Sequence, residues 1–330
     1  MSYLELAAGI ALLLFCGDLL VRGAVALAVK LGIPTLVIGL TVVAFGTSAP
    51  ELVVSLRAAL SGVPGMAIGN VVGSNIANIL LVLGLPALIC STNCDQPLVM
   101  RNTTYVIGAS LLFITLCLLG PLSFLHGSIL FAAMIAFLIE SGRRAAQSSD
   151  DAMTAGNETI EIIDGVSGLP ARPYYVSLFL LVGLVGLPIG ATLTVGAGSE
   201  IARSFGVSDA TIGLTLVAIG TSLPELATTL TAAIRGFTTL ALGNVLGSNL
   251  FNILAIMGLT SMVTPLPVPD VVLQVDVWVM LAAALAITPF VFNKSAITRA
   301  TGFVFVTSYV FYIYTVFASE FSELPNVASY

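Results

Sequence analysis

The chain is poor in charge. Aspartate, glutamate, lysine and arginine make up 8% of its 330 residues, against about 25% in an ordinary soluble domain. With 58% hydrophobic residues and a mean hydropathy of +1.08, a water-soluble globular fold is excluded. Histidine occurs once, at His126. There is no HExxH helix, no Ser–His pair and no pair of catalytic aspartates, so nothing reads as an enzyme. Four cysteines (Cys16, Cys90, Cys94 and Cys117) form no CxxC arrangement and read as small core hydrophobes. The net charge is −6 and no basic patch suggests nucleic acid. No cofactor and no obligatory protein partner are evident. The first apolar stretch lacks an early lysine or arginine, so it reads as a membrane span and not as a cleaved signal.

What the chain does have is apolar length. With about 20 apolar residues needed per crossing, the pattern predicts an all-α polytopic membrane protein with ten transmembrane helices. The predicted spans are 3–29, 34–60, 66–90, 103–120, 122–140, 174–202, 208–234, 240–263, 271–292 and 297–319. The one long polar stretch, Ser141–Pro173, divides them as a linker between a first five-helix unit, residues 1–140, and a second, residues 174–330. Basic residues set the orientation. With the N-terminus outside, Lys30, Arg101, Arg143, Arg144, Arg172, Arg235, Lys294 and Arg299 all face the cytosol, and only Arg57 and Arg203 lie near outer ends. Both termini are then predicted outside a plasma membrane. Five is odd, so equivalent helices of the two units cross in opposite senses. The fold class predicted is two inverted-topology five-helix repeats, an arrangement that many secondary transporters use to expose a midplane site to either side.

The repeat is written in the residues themselves. Gly39–Leu60 reads GLTVVAFGTSAPELVVSLRAAL and Gly213–Ile234 reads GLTLVAIGTSLPELATTLTAAI, identical at 14 of 22 positions. At the same offset of 174, GNVVGSNIANILL from Gly69 matches GNVLGSNLFNILA from Gly243 at 9 of 13. Ionisable groups inside spans cost roughly 2.5–3.5 kcal/mol each on insertion scales, and their default reading is an ion or substrate pathway. Pro50 and Pro224 remove a backbone donor and break their helices, which is expected to free carbonyls around Ala44 to Gly46. Thr47, Ser48 and Glu51 gather beside the first break, as Thr221, Ser222 and Glu225 do beside the second. On the following helices Ser74 and Asn78, and likewise Ser248 and Asn252, are four apart and share a face. Asn75 and Asn249 read as interhelical hydrogen bonders as readily as ligands. For Gly69, Gly73, Gly243 and Gly247 close helix packing is favoured.

All these donors are oxygens, which suits hard cations such as Ca²⁺ and Na⁺ better than zinc or copper. Glu51 and Glu225 carry −2 together, which one Ca²⁺ or two Na⁺ neutralise, so the two ions can compete for one cavity. Competition is the physical basis for exchange.

GTSxPE followed by GNxxGSNxxN, twice in inverted halves, resembles the alpha repeats of the sodium/calcium exchanger branch of the cation/calcium antiporter superfamily, in its prokaryotic form. The resemblance implies that Ala44 and Ala218 lend carbonyls and that Thr47, Ser48, Ser74, Thr221, Ser222 and Ser248 lend oxygens. It implies that Glu51 and Glu225 bind Ca²⁺ and Na⁺ as transported substrates. It also implies that the first and sixth helices slide across the core to switch access. Asn252 stands where potassium-dependent relatives have Asp, which disfavours K⁺ cotransport. Gly73 and Gly247 stand where cation/proton exchangers carry an acid, which disfavours proton coupling. The expected function is Na⁺/Ca²⁺ antiport, electrogenic and exporting Ca²⁺. A Ca²⁺/H⁺ antiporter is the alternative, and a passive cation channel ranks below it. Outside the motifs, Asp18 and Arg22 are expected to pair on one helix face. Asp276 reads as interfacial, and His126 as a tolerated residue at a turn.

Overall fold

The computed structural model describes residues 1–155, 169–206 and 218–323. The chain is nearly all helix: α1 (Ser2–Leu31), α2 (Thr35–Thr47), α3 (Ala49–Leu60), α4 (Pro64–Ile89), α5 (Pro97–Leu118), α6 (Phe124–Ala155), α7 (Pro173–Ser204), α8 (Leu223–Ile234), α9 (Thr238–Val263), α10 (Val272–Phe292) and α11 (Arg299–Glu323). Seven of the described helices are long and apolar enough to cross a bilayer, or eight if the bent pair α2–α3 counts as one span. Most of the predicted seventh span is α8 and the helical turn Ala218–Gly220 before it; its start, 208–217, lies outside the described residues. The predicted tenth span falls on α11.

One boundary differs from expectation. Residues Ser141–Ala155, read as the start of a linker, continue α6. The apolar pattern stops near Glu140, but a helix leaving a bilayer keeps its backbone bonds in water, and alanine-rich sequence sustains it. The rest of the expected linker falls mainly on 156–168, outside the described residues.

Burial separates two layers. Within their most apolar windows, α4 is 72% and α9 is 94% buried, whereas α1 and α10 are 33% and α6 and α7 are 28% buried, and α1 packs along α7. The motif helices therefore form the core, and α1 with α7 is an outer pair. That pair runs antiparallel, with Gly9 beside Thr194 and Gly183 beside Leu20. A Cβ at Gly183 would sit 2.6 Å from the Leu20 Cβ, so glycine is what permits so close an approach. The expected Asp18–Arg22 pair forms at 2.9 Å, and Asp18 also receives Arg235 from the end of α8. These contacts tie the outer pair to the core.

The two units interlock by the same contacts made twice. Gly84 of α4 meets Gly302 of α11, and Gly258 of α9 meets Gly127 of α6. The loop after α4 pairs with the loop before α11, as β1 (Thr92–Asn93) against β2 (Ala296–Ile297), with Thr92 opposite Ile297. The loop after α9 pairs with the loop before α6, Leu266 opposite Leu122. Each pairing is the other displaced by about the 174-residue offset. Asp276, read as interfacial, accepts a hydrogen bond from the Tyr312 hydroxyl at 3.0 Å, joining α10 to α11.

Candidate ion-binding site

The duplicated proline acts two residues earlier than its own position. Ser48 leaves helical geometry at φ −85°, ψ 3°, and Ser222 does so at φ −86°, ψ 2°. Across the first break the helix bends by 43°. Each break starts a new helix whose first turn holds the motif glutamate, Glu51 in α3 and Glu225 in α8. Partial positive charge at a helix N-terminus favours a carboxylate there. The expected freeing of the Ala44 carbonyl needs correction. It still accepts the Ser48 N–H at 3.0 Å and lies 3.4 Å from the Thr47 hydroxyl, because the break begins after the 44–48 bond is made. Gly46 is the carbonyl whose helical partner would have been Pro50. In the second copy the Ser222 N–H turns tightly to Ile219 instead.

On the following helices the backbone widens into π-helical turns at Asn78–Leu83 and Phe251–Ile256, so each begins at or beside the motif asparagine. Such turns are rare and frequent at functional sites. Helix α8, bearing Glu225, packs against the first widened turn, and α3, bearing Glu51, packs against the second. Each carboxylate helix thus lies against the other unit's asparagine.

Ala44, Thr47, Ser48, Glu51, Ser74, Asn78, Ser222, Glu225, Ser248 and Asn252 are all buried, and Thr221 is half-buried. Ala218 is in the helical turn before the second break. The Ser48 hydroxyl donates to Glu225 Oε1 at 3.0 Å across the unit boundary. Asn78 Nδ2 donates to Asn249 Oδ1 at 3.1 Å, and Asn249 Nδ2 is 3.5 Å from the Asn75 carbonyl. The interhelical role read for Asn249 is therefore what it plays, whereas Asn75 donates within its own helix to Val71.

Buried polar atoms in proteins almost always have partners. Here both Glu51 carboxylate oxygens, Glu225 Oε2, the hydroxyls of Ser74, Thr221, Ser222 and Ser248, Asn78 Oδ1 and both polar atoms of Asn252 have none. No described ion pair reaches either glutamate. Two uncompensated carboxylates amid partnerless oxygens are costly unless a cation completes them. No cluster of three or more His, Cys, Asp or Glu occurs among the described residues, so the donor set is oxygen-rich and only doubly charged.

Sequence reasoning assigned no role to Asn70 and Asn244. Asn70 Nδ2 donates to the Ser55 hydroxyl at 3.0 Å and lies 3.4 Å from the Glu51 carbonyl. Asn244 Nδ2 donates to the Thr229 hydroxyl at 2.9 Å and lies 3.4 Å from the Glu225 carbonyl. The signal was present, since Asn is identical in both copies and a hydroxyl residue stands at 55 and at 229.

A helical membrane bundle with two duplicated, broken, carboxylate-bearing helices around a buried oxygen-lined centre defines the class of secondary cation antiporters. A model of the family described as "Sodium/calcium exchanger protein" matches residues 1–141 and 175–318, and the chain belongs to that family. It is 35% identical to a putative antiporter, CaxA, of Alkalimonas amylolytica over 94% of this chain and 97% of that protein. It is 33% identical to the sodium/calcium exchanger MaX1 of Methanosarcina acetivorans over 96% and 98%. Its fold matches the solved structure of the sodium–calcium exchanger NCX_Mj, soaked with 2.5 mM Na⁺ and 0.1 mM Ca²⁺, with TM-score 0.80 and 31% identity over 94% of this chain and 97% of that one.

Proposed function

We propose that the protein is a secondary-active antiporter that exchanges Na⁺ for Ca²⁺ by alternating access, with ten spans in two inverted five-helix repeats. The observation that carries this reading is the set of partnerless oxygens around Glu51 and Glu225, drawn from both copies of the motif. The repeated interlocking contacts, each displaced by the repeat offset, support the inverted duplication. Ala44, Thr47, Ser48, Glu51, Ser74 and Asn78 from one copy, and Ala218, Thr221, Ser222, Glu225, Ser248 and Asn252 from the other, supply the ligands. Ca²⁺ takes about 6–8 oxygens in flexible geometry, which this set provides.

The steps follow from charge. Emptied, the centre carries −2 inside a low-dielectric core and resists crossing. One Ca²⁺ cancels that charge, and two Na⁺ do so with oxygens left over for a further Na⁺, so either load permits the transition and the empty form does not. The glycine-smoothed contact of α1 with α7, and their exposed outer faces, support a pair that slides over a fixed core. With the N-terminus outside by the positive-inside rule, inward Na⁺ flow across the plasma membrane exports Ca²⁺. The neutral Asn252 favours independence from K⁺, and Gly73 and Gly247 favour Na⁺ over H⁺ as the coupled ion.

Purified protein in liposomes tests this: Ca²⁺ uptake driven by an outward Na⁺ gradient, compared with K⁺ and H⁺ gradients of equal size. Uptake with the Na⁺ gradient alone supports the reading. Uptake with the H⁺ gradient alone would make the protein a Ca²⁺/H⁺ antiporter, and flux without any counter-ion would make it a channel.

A further inference from the structure

The duplicated asparagines Asn70 and Asn244 do more than join neighbouring helices. An asparagine amide offers two N–H donors and one carbonyl acceptor, and Asn244 uses all three. Its two donors face the Thr229 hydroxyl and the Glu225 carbonyl, on consecutive turns of α8. Its oxygen accepts the Thr47 hydroxyl of the other unit at 3.3 Å. One side chain therefore links a hydroxyl ligand from the first copy to the helix carrying the carboxylate of the second.

The mirror-image bond is not made. Asn70 holds Ser55 and the Glu51 carbonyl as Asn244 holds their equivalents, but the Thr221 hydroxyl has no partner. The difference extends to the neighbouring serines. Ser48 donates to Glu225, whereas neither the Ser222 hydroxyl nor any Glu51 carboxylate oxygen finds a partner. Burial follows the same line: Thr47 and Asn244 are fully enclosed, and Thr221 and Asn70 are half-buried. The centre is knitted together on the Thr47–Asn244 side and slack on the Thr221–Asn70 side.

We infer that Asn70 and Asn244 are positioning residues that hold the two carboxylate helices, and that their amide oxygens alternately capture Thr221 and Thr47 as the site changes the side it faces. This rests on the antiport reading and deepens it. In the state described here Thr47 is captured. In the opposite state the same duplicated residues make Thr221 to Asn70 and release Thr47 from Asn244. An asparagine is needed at both places because aspartate lacks the two donors and a hydroxyl residue lacks the reach.

The test is the apparent Ca²⁺ KM at each membrane face, measured for Na⁺-driven exchange in liposomes of fixed protein orientation. A neutral hydrogen bond contributes about 1 kcal/mol, about fivefold. Asn244→Ala loses the hold on its carboxylate helix in both states and the capture in only one, so KM should rise about fivefold more at one face than at the other, and Asn70→Ala should show the opposite preference. The milder Thr229→Val and Ser55→Ala variants, which remove one acceptor each, should shift KM at the same faces as their asparagines and carry the test if an asparagine variant fails to fold. The hydroxyl-preserving swaps Thr229→Ser and Ser55→Thr should leave both faces at wild-type KM. Equal shifts at both faces, or none, would overturn the inference while leaving antiport intact. Absence of Na⁺-driven Ca²⁺ exchange in the wild type would instead overturn the antiport reading.

Discussion

Replacing Glu51 by glutamine should separate the two ions. The change keeps the volume and one oxygen ligand but removes half the formal charge of a centre in which no other described side chain pairs with Glu51. Unit charges about 4 Å apart interact by about 4 kcal/mol at an effective dielectric of 20, so a divalent ion and one carboxylate interact by about 8. Dehydration of ion and carboxylate offsets most of this. If about a quarter survives as net affinity, Ca²⁺ loses about 2 kcal/mol, or about thirtyfold, and Na⁺ loses about 1 kcal/mol, or about fivefold. Selectivity for Ca²⁺ over Na⁺ should thus fall roughly sixfold beyond any general weakening. Titration calorimetry on purified protein reads both affinities, and size-exclusion chromatography with circular dichroism checks that the variant is folded. A folded Glu51→Gln protein with Ca²⁺ affinity within twofold of wild type, or with both ions weakened equally, would refute the charge argument.

Three further expectations follow from the same geometry. Ca²⁺ flux should persist when K⁺ is removed from both sides, and Asn252→Asp should change Na⁺ and proton sensitivity before it changes folding; collapse of wild-type flux without K⁺ would contradict the neutral Asn252 reading. Exchange should be electrogenic, because the oxygens outnumber what two Na⁺ need; with about 2.3 kcal/mol per charge per 100 mV, an imposed inside-negative potential should speed Na⁺ entry, and voltage-independent flux would show electroneutral exchange. Asp18→Asn, which unties α1 from Arg235 without touching the centre, should alter exchange rate while leaving the Ca²⁺ Kd unchanged, and a shifted Kd with an unchanged rate would show that α1 is no moving part.

The motif residues were legible because polarity inside an apolar span has few innocent explanations. Glu51, Glu225 and the adjoining Ser and Thr could be picked out by type alone, and the duplication showed which of them belonged together. Pro50 and Pro224 also marked the helix breaks to within two residues, at Ser48 and Ser222. Other features depend on packing that no local pattern records. The widened turns at Asn78–Leu83 and Phe251–Ile256 have no sequence signature, since the same residues would form an ordinary helix elsewhere. Asn70 and Asn244 carry no charge, and their roles appear only when Ser55, Thr229 and Thr47 are brought to them. The bond between Asp276 and Tyr312 could not be read either, because its partners are 36 residues apart on different helices. The inequality between the two copies could not be read at all. Near-identical motifs predict a symmetric centre, and only the fold shows Ser48 engaged and Ser222 free.

The proposed exchange requires that Ca²⁺ and Na⁺ share one centre built on Glu51 and Glu225. Its most direct measurement is the apparent Ca²⁺ Kd of the purified protein across a wide range of Na⁺ concentration at constant ionic strength. One shared centre predicts a Kd that keeps rising with Na⁺, without a plateau and with a slope of more than two on logarithmic axes. A Kd that levels off, or that ignores Na⁺ altogether, would place the two ions at separate sites and contradict the account.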